Sequence, residues 1–136
     1  MNITIDLPLT PVPKARPRLT RKGHVYTPRK TKVFEKAVSI HTKASLIENG
    51  IRHPLDVGIS LEVVFVFDRP KRFPKSKPER QLKSSRPDLD NLIKSLSDGL
   101  QGVLFKDDGQ IHSIHASKVY GSLDETAHIK LQVNVH

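Results

Sequence analysis

The chain has no cysteine among its 136 residues, so it can form neither disulfides nor thiolate metal sites. No apolar run approaches the roughly 20 residues that a helix needs to span a bilayer. The first residues, Met1 to Leu9, lack a charged segment followed by an apolar one, so no secretory signal peptide is expected. Glycine-rich phosphate loops, internal repeats, coiled-coil seams and a Ser, His and Asp nucleophile set are also missing. We therefore expect a cytoplasmic protein without a membrane segment.

Acidic residues are scarce beside basic ones, with 14 Asp and Glu against 23 Lys and Arg and a formal net charge of +9. The excess is clustered. Residues 14–32 hold eight Lys or Arg and no acid, and residues 69–86 hold eight more with Glu79 as the one acid. A basic protein can simply be well solvated, but clustered cations favour a polyanionic partner, because each neutralised phosphate releases counterions. Nucleic acid is the expected partner.

Hydrophobic periodicity predicts one α+β domain over residues 1–136, with the element order β-α-β-α-β-β. Alternating apolar residues predict a mixed sheet of about four strands, at 2–7, 57–67, 111–120 and 128–135, with the second strand central. Helical spacing over 28–48 and 88–101 predicts two main helices. Basic loops are expected at about 13–27 and 69–87.

The stretch Arg86–Ile111 is the most informative, because it places acids inside a basic chain. Asp88 and Asp90 lie one residue apart at the start of the second predicted helix, and Lys94 shares a helical face with Asp90. The acids can simply cap the helix, and Asp90 with Lys94 can be an ordinary ion pair of about 0.2–0.5 kcal/mol. In the functional alternative, the carboxylates hold a metal ion and Lys94 stabilises charge on a phosphate beside it.

A second acidic pair, Asp107 and Asp108, follows a short apolar segment. Because adjacent side chains diverge, one can bind metal while the other caps a turn; solvation of the turn by both is the alternative. Hard oxygen ligands without cysteine favour Mg²⁺ or Mn²⁺. Such an ion can activate water for phosphodiester hydrolysis.

Taken together, the segment Asp88-Leu89-Asp90-Asn91-Leu92, then Lys94, Asp98 and the pair Asp107-Asp108 before a strand, resembles the DLDN-x₂-K…DD pattern of the RusA family of Holliday-junction resolvases. The resemblance also covers the predicted element order across nearly the whole chain. It implies a RusA-like fold and a symmetric homodimer that uses Mg²⁺, or Mn²⁺, to resolve four-way DNA junctions by paired cuts in recombination and repair.

The same resemblance assigns roles to individual residues. It implies that Asp88, Asp90 and Asp108 are catalytic metal-binding carboxylates, that Asp107 is a secondary candidate, and that Lys94 is the catalytic lysine. Asn91 and Asp98 are expected to hold the helix and the site in place. The residues expected to bind DNA come from the basic loops: Lys14, Arg16, Arg18, Arg21, Lys22, Arg69, Lys71, Arg72, Lys75, Lys77 and Arg86.

Two other functions stay open at this point. One is a non-catalytic nucleic-acid-binding protein whose acids only cap helices and turns. The other is a nuclease that prefers different branched DNA. Metal-dependent cutting of a branched substrate separates the first from the nucleases, and comparison among branched substrates separates the nucleases from each other.

Overall fold

A computed structural model describes every residue from Met1 to His136, and its centre is a mixed five-stranded sheet. Seven strands are numbered along the chain: β1 Asn2–Leu7, β2 Arg18–Leu19, β3 Val25–Tyr26, β4 Ile59–Phe67, β5 Gln81–Leu82, β6 Ile111–Tyr120 and β7 His128–Val135. The sheet order is β1-β7-β4-β6-β5, and β2 pairs with β3 in a separate hairpin. β4 and β6 run parallel, whereas the other neighbours are antiparallel. The predicted α+β fold is confirmed, with one strand more than expected.

The additional strands are too short to be visible as periodicity. β5 is two residues long and lies inside the second basic loop. β2 and β3, also two residues each, form a short hairpin inside the first basic loop. β4 is central, as predicted, but starts at Ile59 rather than at Val57. The later start has a local cause: the Gln110 side-chain amide donates to the carbonyls of Leu55 and Val57, which diverts this segment from the sheet.

Two helices cover one face of the sheet, α1 at Arg29–Glu48 and α2 at Leu89–Leu100. One core of 18 buried residues lies between them and the strands. α2 contributes Leu92, Leu96 and Leu100, which lie on one helical face, as their spacing predicted. The two helices approach closely at Gly99, where an added Cβ would lie 2.9 Å from the Cβ of Val38. α2 is therefore held firmly on its inner side.

The apolar residues of α1 fall into two stripes rather than one. The buried stripe is Thr31, Phe34, Val38, Thr42 and Leu46. Val33, Ile40 and Ile47 are 54–59% exposed, so they do not belong to the core to which their spacing had assigned them. No helix of the structure is long and apolar enough to cross a membrane.

Candidate metal and DNA site

Asp88 and Asp90 lie at the first turn of α2 with their carboxylates free. Asp88 occupies the N-cap position in an extended conformation, but its side chain makes no capping hydrogen bond. Asp90 accepts one hydrogen bond, from the backbone N–H of its neighbour Asn91 at 2.9 Å. Both residues are exposed. The capping alternative therefore fails for Asp88, and both carboxylates are available to a ligand.

The chain that enters Asp88 is held by a lysine from the sheet. Lys118 Nζ donates to the carbonyl oxygens of Ser85 at 2.5 Å and Pro87 at 2.6 Å. The side chain of Lys118 reaches this segment from β6, on the sheet face that carries α2. A lysine within a strand gives no sequence signal of such a role, and sequence reasoning missed it. Lys118 fixes the backbone immediately before the first carboxylate.

Lys94 lies one turn after Asp90 and is exposed. None of the salt bridges of the structure joins it to Asp90. The ordinary i, i+4 ion pair is therefore not formed, and the ammonium group stays available to an incoming anion beside the two carboxylates.

The second acidic pair divides into a capping residue and a free one. Asp107 caps a short 3₁₀ helix, Asp108–Gln110, because its carboxylate accepts from the backbone N–H of Gly109 at 3.2 Å. Gln110 completes the capping box by accepting from the backbone N–H of Asp107 at 2.9 Å. Asp108 is exposed and takes no part in this capping. Of the two, Asp108 has the carboxylate that is free to bind an ion.

Within a single chain, Asp108 does not lie beside Asp88 and Asp90. The segment before Asp88 is held at Lys118, seven residues along β6 from Ile111, whereas Asp108 lies just before Ile111. At about 3.3 Å per strand residue, Ile111 and Lys118 are on the order of 20 Å apart along β6. Consistently, no group of three or more His, Cys, Asp or Glu side chains in the chain is close enough to hold a metal ion. The structure thus places Asp88 with Asp90 but leaves Asp108 at the far end of β6.

Two of the basic residues expected to bind DNA are engaged inside the protein. Lys14 Nζ contacts Glu35 at 2.6 Å and Asp98 at 2.9 Å, and its backbone N–H donates to the carbonyl of Asn91. Burial opposes the charged form of Lys14, but its hydrogen bonds to the two carboxylates outweigh that effect and raise its pKa. The carboxylate of Asp98 and the backbone carbonyl of Asn91 thus tie α2 to Lys14.

Arg69 is the second engaged residue. Its guanidinium donates to four carbonyls, those of Pro74, Lys77, Glu79 and Gly121. It therefore shapes the second basic loop. We expect both Lys14 and Arg69 to act on protein structure rather than on phosphate.

The remaining DNA-binding candidates are exposed and form no salt bridge: Arg16, Arg18, Arg21, Lys22, Lys71, Arg72, Lys75, Lys77 and Arg86. Arg72 also stacks over the ring of Phe73 at 5.3 Å. These uncompensated cations lie on two loops that both reach the start of α2. The first loop is joined to it by the hydrogen bond from Lys14 N–H to Asn91 O, and the second loop leads along the chain into Asp88.

The second basic loop is fastened to the sheet by two further contacts. Arg80 forms a two-pronged ion pair with Glu125, at 2.8 and 2.6 Å. The hydrogen bond from Arg80 is the main cause that lowers the pKa of Glu125 to about 2. Lys83 donates to the hydroxyls of Ser85 and Tyr120, and hydrogen bonds from Ser85 and Lys83 lower the pKa of Tyr120. Sequence reasoning found neither the Arg80–Glu125 pair nor the Lys83–Tyr120 pair, because their members lie 45 and 37 residues apart.

Comparisons with known proteins identify a family and one relative. The family model described as endodeoxyribonuclease RusA matches residues 8–133. The chain is also similar to the uncharacterized protein YqaN of Bacillus subtilis strain 168, with 29% identity over 120 residues that cover 81% of this chain and 82% of that protein. The family match includes both acidic pairs, Lys94, Lys118 and both basic loops.

Proposed function

Because this chain belongs to the RusA family of endodeoxyribonucleases, we propose that it is a cytoplasmic, Mg²⁺-dependent nuclease that resolves four-way DNA junctions by paired, symmetric phosphodiester hydrolysis. Recombination and repair are the processes that supply such junctions. One observation carries the proposal: the exposed carboxylates of Asp88 and Asp90 form no salt bridge, and the one hydrogen bond to them comes from the backbone N–H of Asn91. They lie beside unpaired cations, at a point where the backbone is held on both sides.

The residues at the start of α2 fit a Mg²⁺ ion, with Mn²⁺ as an alternative. Mg²⁺ commonly keeps several waters and is bound through one or two carboxylates together with substrate phosphates. Asp88 and Asp90 supply two such carboxylates, and their exposure leaves room for water and phosphate. When bound, an ion of this kind lowers the pKa of a water nucleophile and neutralises charge on the phosphate.

The chain's own groups orient the substrate around these carboxylates. Lys94 lies one helical turn from Asp90, so its ammonium can contact a phosphate oxygen held near the two acids. The positive end of the α2 dipole favours a phosphate at the same end of the helix. Lys118 keeps the backbone of Asp88 in place through the carbonyl of Pro87. Lys94 therefore stabilises charge, and Lys118 positions a ligand.

We further propose that a second copy of the chain completes each site. Two symmetric cuts require two sites related by a two-fold axis. Residues Ile111–Ser117 of β6 pair with β4 on one side only, because β5 covers the other edge at Val119 and Tyr120 alone. An open edge of this length is suited to pairing with another strand. Antiparallel pairing of two such edges brings the start of one β6 beside the end of the other, and so brings Asp108 towards the Asp88 of the partner subunit.

A subunit-mixing experiment tests this shared site. Asp90→Asn and Asp108→Asn chains are each expected to be inactive as homodimers. In a mixed dimer of the two, a shared site leaves one complete set of carboxylates, so nicking returns. If each site lies within one chain, every site in the mixed dimer keeps a defect and nicking stays absent. Mixed dimers isolated with two different affinity tags distinguish these results.

The exposed cations of the two loops would hold the arms of the junction by their phosphates. Such contacts position DNA without reading its sequence, and they weaken steeply as salt rises. Each phosphate-binding residue removed is expected to reduce the slope of log K against log [salt] by about one. Arg16 and Lys77 are suitable first choices because both are exposed and neither forms a salt bridge.

The function is tested by incubating labelled four-way junction, fork, flap and linear duplex of shared sequence with the protein, with Mg²⁺ and with a chelator. We expect metal-dependent cutting of the junction and none of the linear duplex. Preferential cutting of the fork or flap would assign a different branched substrate. Binding without cutting of any branched DNA would instead favour a non-catalytic DNA-binding protein.

A further inference from the structure

The hairpin formed by β2 and β3 has an apolar pair on a strongly basic surface. Leu19 and Val25 are direct partners in the hairpin and are 69% and 67% exposed. Partners in an antiparallel pair project to the same face, so together they make one exposed apolar spot. Neither residue belongs to the hydrophobic core or packs against it. Core packing therefore does not explain them.

The surroundings of this pair favour a nucleic-acid partner. Residues 15–28 contain no acid, and four cations are exposed within them: Arg16, Arg18, Arg21 and Lys22. None of the four forms a salt bridge. A polyanionic surface is therefore favoured opposite the cations, and an apolar surface opposite the pair. Unstacked DNA bases next to phosphates offer both surfaces together.

Backbone hydrogen bonds close the hairpin, which starts next to the proposed metal site. The backbone N–H of Lys14 donates to the carbonyl of Asn91 at 2.9 Å, one residue after Asp90. The turn is closed by hydrogen bonds from Thr20 N–H to His24 O and from Gly23 N–H to Thr20 O. Gly23 supplies the positive φ of 81° that this turn requires. The seven residues from Lys14 to the turn can span roughly 23 Å when extended. The reach of the hairpin is therefore greater than the ~12 Å width of a DNA major groove.

We propose that residues 18–26 form a wedge that inserts Leu19 and Val25 against unstacked bases at the branch point of a four-way junction. The cations of the hairpin hold the phosphates on either side. Apolar side chains are used in this way by proteins that kink DNA, and unstacking costs least where a base is already unpaired. The wedge therefore favours branched over linear DNA. It rests on the proposed junction substrate and explains how that substrate is selected.

The test uses a junction with 2-aminopurine at the crossover, whose fluorescence rises when the base is unstacked. Binding is measured without divalent metal, so that no strand is cut. The unsubstituted protein is expected to raise the fluorescence of the junction but not of a linear duplex. The double variant Leu19→Ser with Val25→Ser is expected to remove most of this rise per bound complex and to lower the preference for junction over duplex by about tenfold.

Two control variants separate the wedge from general effects. Leu82→Ser removes an 81%-exposed leucine from β5 and is expected to leave the fluorescence rise intact. Arg21→Ala with Lys22→Ala is expected to weaken binding to junction and duplex alike, with an unchanged rise per bound complex. Thermal unfolding should be the same for all variants, because the substituted side chains are exposed and outside the core.

An unchanged fluorescence rise in the Leu19 and Val25 variant would overturn the wedge. A loss of dimer in that variant, measured by sedimentation, would overturn it too, because the pair would then belong to a protein interface. Failure of the proposed nuclease function is recognised separately, by absence of junction cutting by the unsubstituted protein in Mg²⁺.

Discussion

Replacing Lys118 with methionine tests how the first carboxylate is positioned. The side chain keeps its length but loses the ammonium that donates to the carbonyls of Ser85 and Pro87. Hydrogen bonds to a charged group contribute about 1.5–3 kcal/mol each, and partial exposure of the lysine favours the low end. For the two bonds together, we therefore estimate a loss of about 3 kcal/mol of the free energy that orders the segment entering Asp88. If this whole loss acts on the placement of Asp88, the cutting rate falls by about 100- to 200-fold.

The assay is single-turnover cutting of a four-way junction across a range of Mg²⁺ concentrations, with junction affinity measured in parallel. We expect a lower rate and a higher Mg²⁺ requirement, with affinity for the junction nearly unchanged. Lys130→Met is the matched control, because it also removes one charge from a strand lysine, and Lys130 is exposed on β7. A folded Lys118→Met protein that cuts as fast as the Lys130→Met protein would refute the positioning role.

Three further predictions concern the same region and its support. Asp107→Ala should lower the unfolding free energy by about 1 kcal/mol through loss of the cap and should lower the cutting rate only in part. Asp108→Asn should abolish cutting without loss of stability. Urea unfolding and junction cutting, measured on both variants, check these results. The pKa of Glu125 is lowered to about 2 from a usual 4.5, so its ion pair stabilises the fold fully above pH 4.5 and this contribution is lost as the pH falls towards 2. Since the side chain of its arginine partner is 39% exposed, the ion pair contributes about 1 kcal/mol to stability after screening. A Glu125→Gln variant that loses as much stability between pH 5 and pH 2 as the unsubstituted protein would argue against this contribution. Gly99→Ala places a Cβ 2.9 Å from an α1 side chain and should lower the midpoint of urea unfolding by an amount equivalent to about 1–3 kcal/mol.

Elements whose hydrophobic periodicity continues over many residues could be predicted from the sequence. The bounds predicted for α1 and α2 differ by at most one residue from those of the structure. Long apolar patterns are strong signals, and Gly50 and Gly102 follow the helices with positive φ. The two pairs of acids were also found, since their spacing is a local property. Their spacing left open which of the adjacent aspartates caps the turn, and the structure gives Asp107 that part and leaves Asp108 out of the cap.

Properties that depend on distant residues could not be predicted. Lys118 contacts Pro87, which is 31 residues away in the sequence, and no local sequence pattern indicates this contact. Lys14 and Arg69 look like other basic loop residues until their carboxylate and carbonyl partners are known. The separation of Asp108 from Asp88 follows from the length and direction of β6, which no local pattern gives. Sequence proximity therefore overstated how closely one chain assembles the three acids.

The central claim is metal-dependent resolution of a junction, and strand-by-strand mapping tests it most directly. Four copies of one junction, each labelled on a different strand, are incubated with the protein in Mg²⁺. We predict nicks at matching positions in one opposed pair of strands, absent with chelator and absent with Asp90→Asn protein that still binds the junction. Metal-independent nicks, nicks in only one strand, or undiminished cutting by the Asp90→Asn protein would contradict the account.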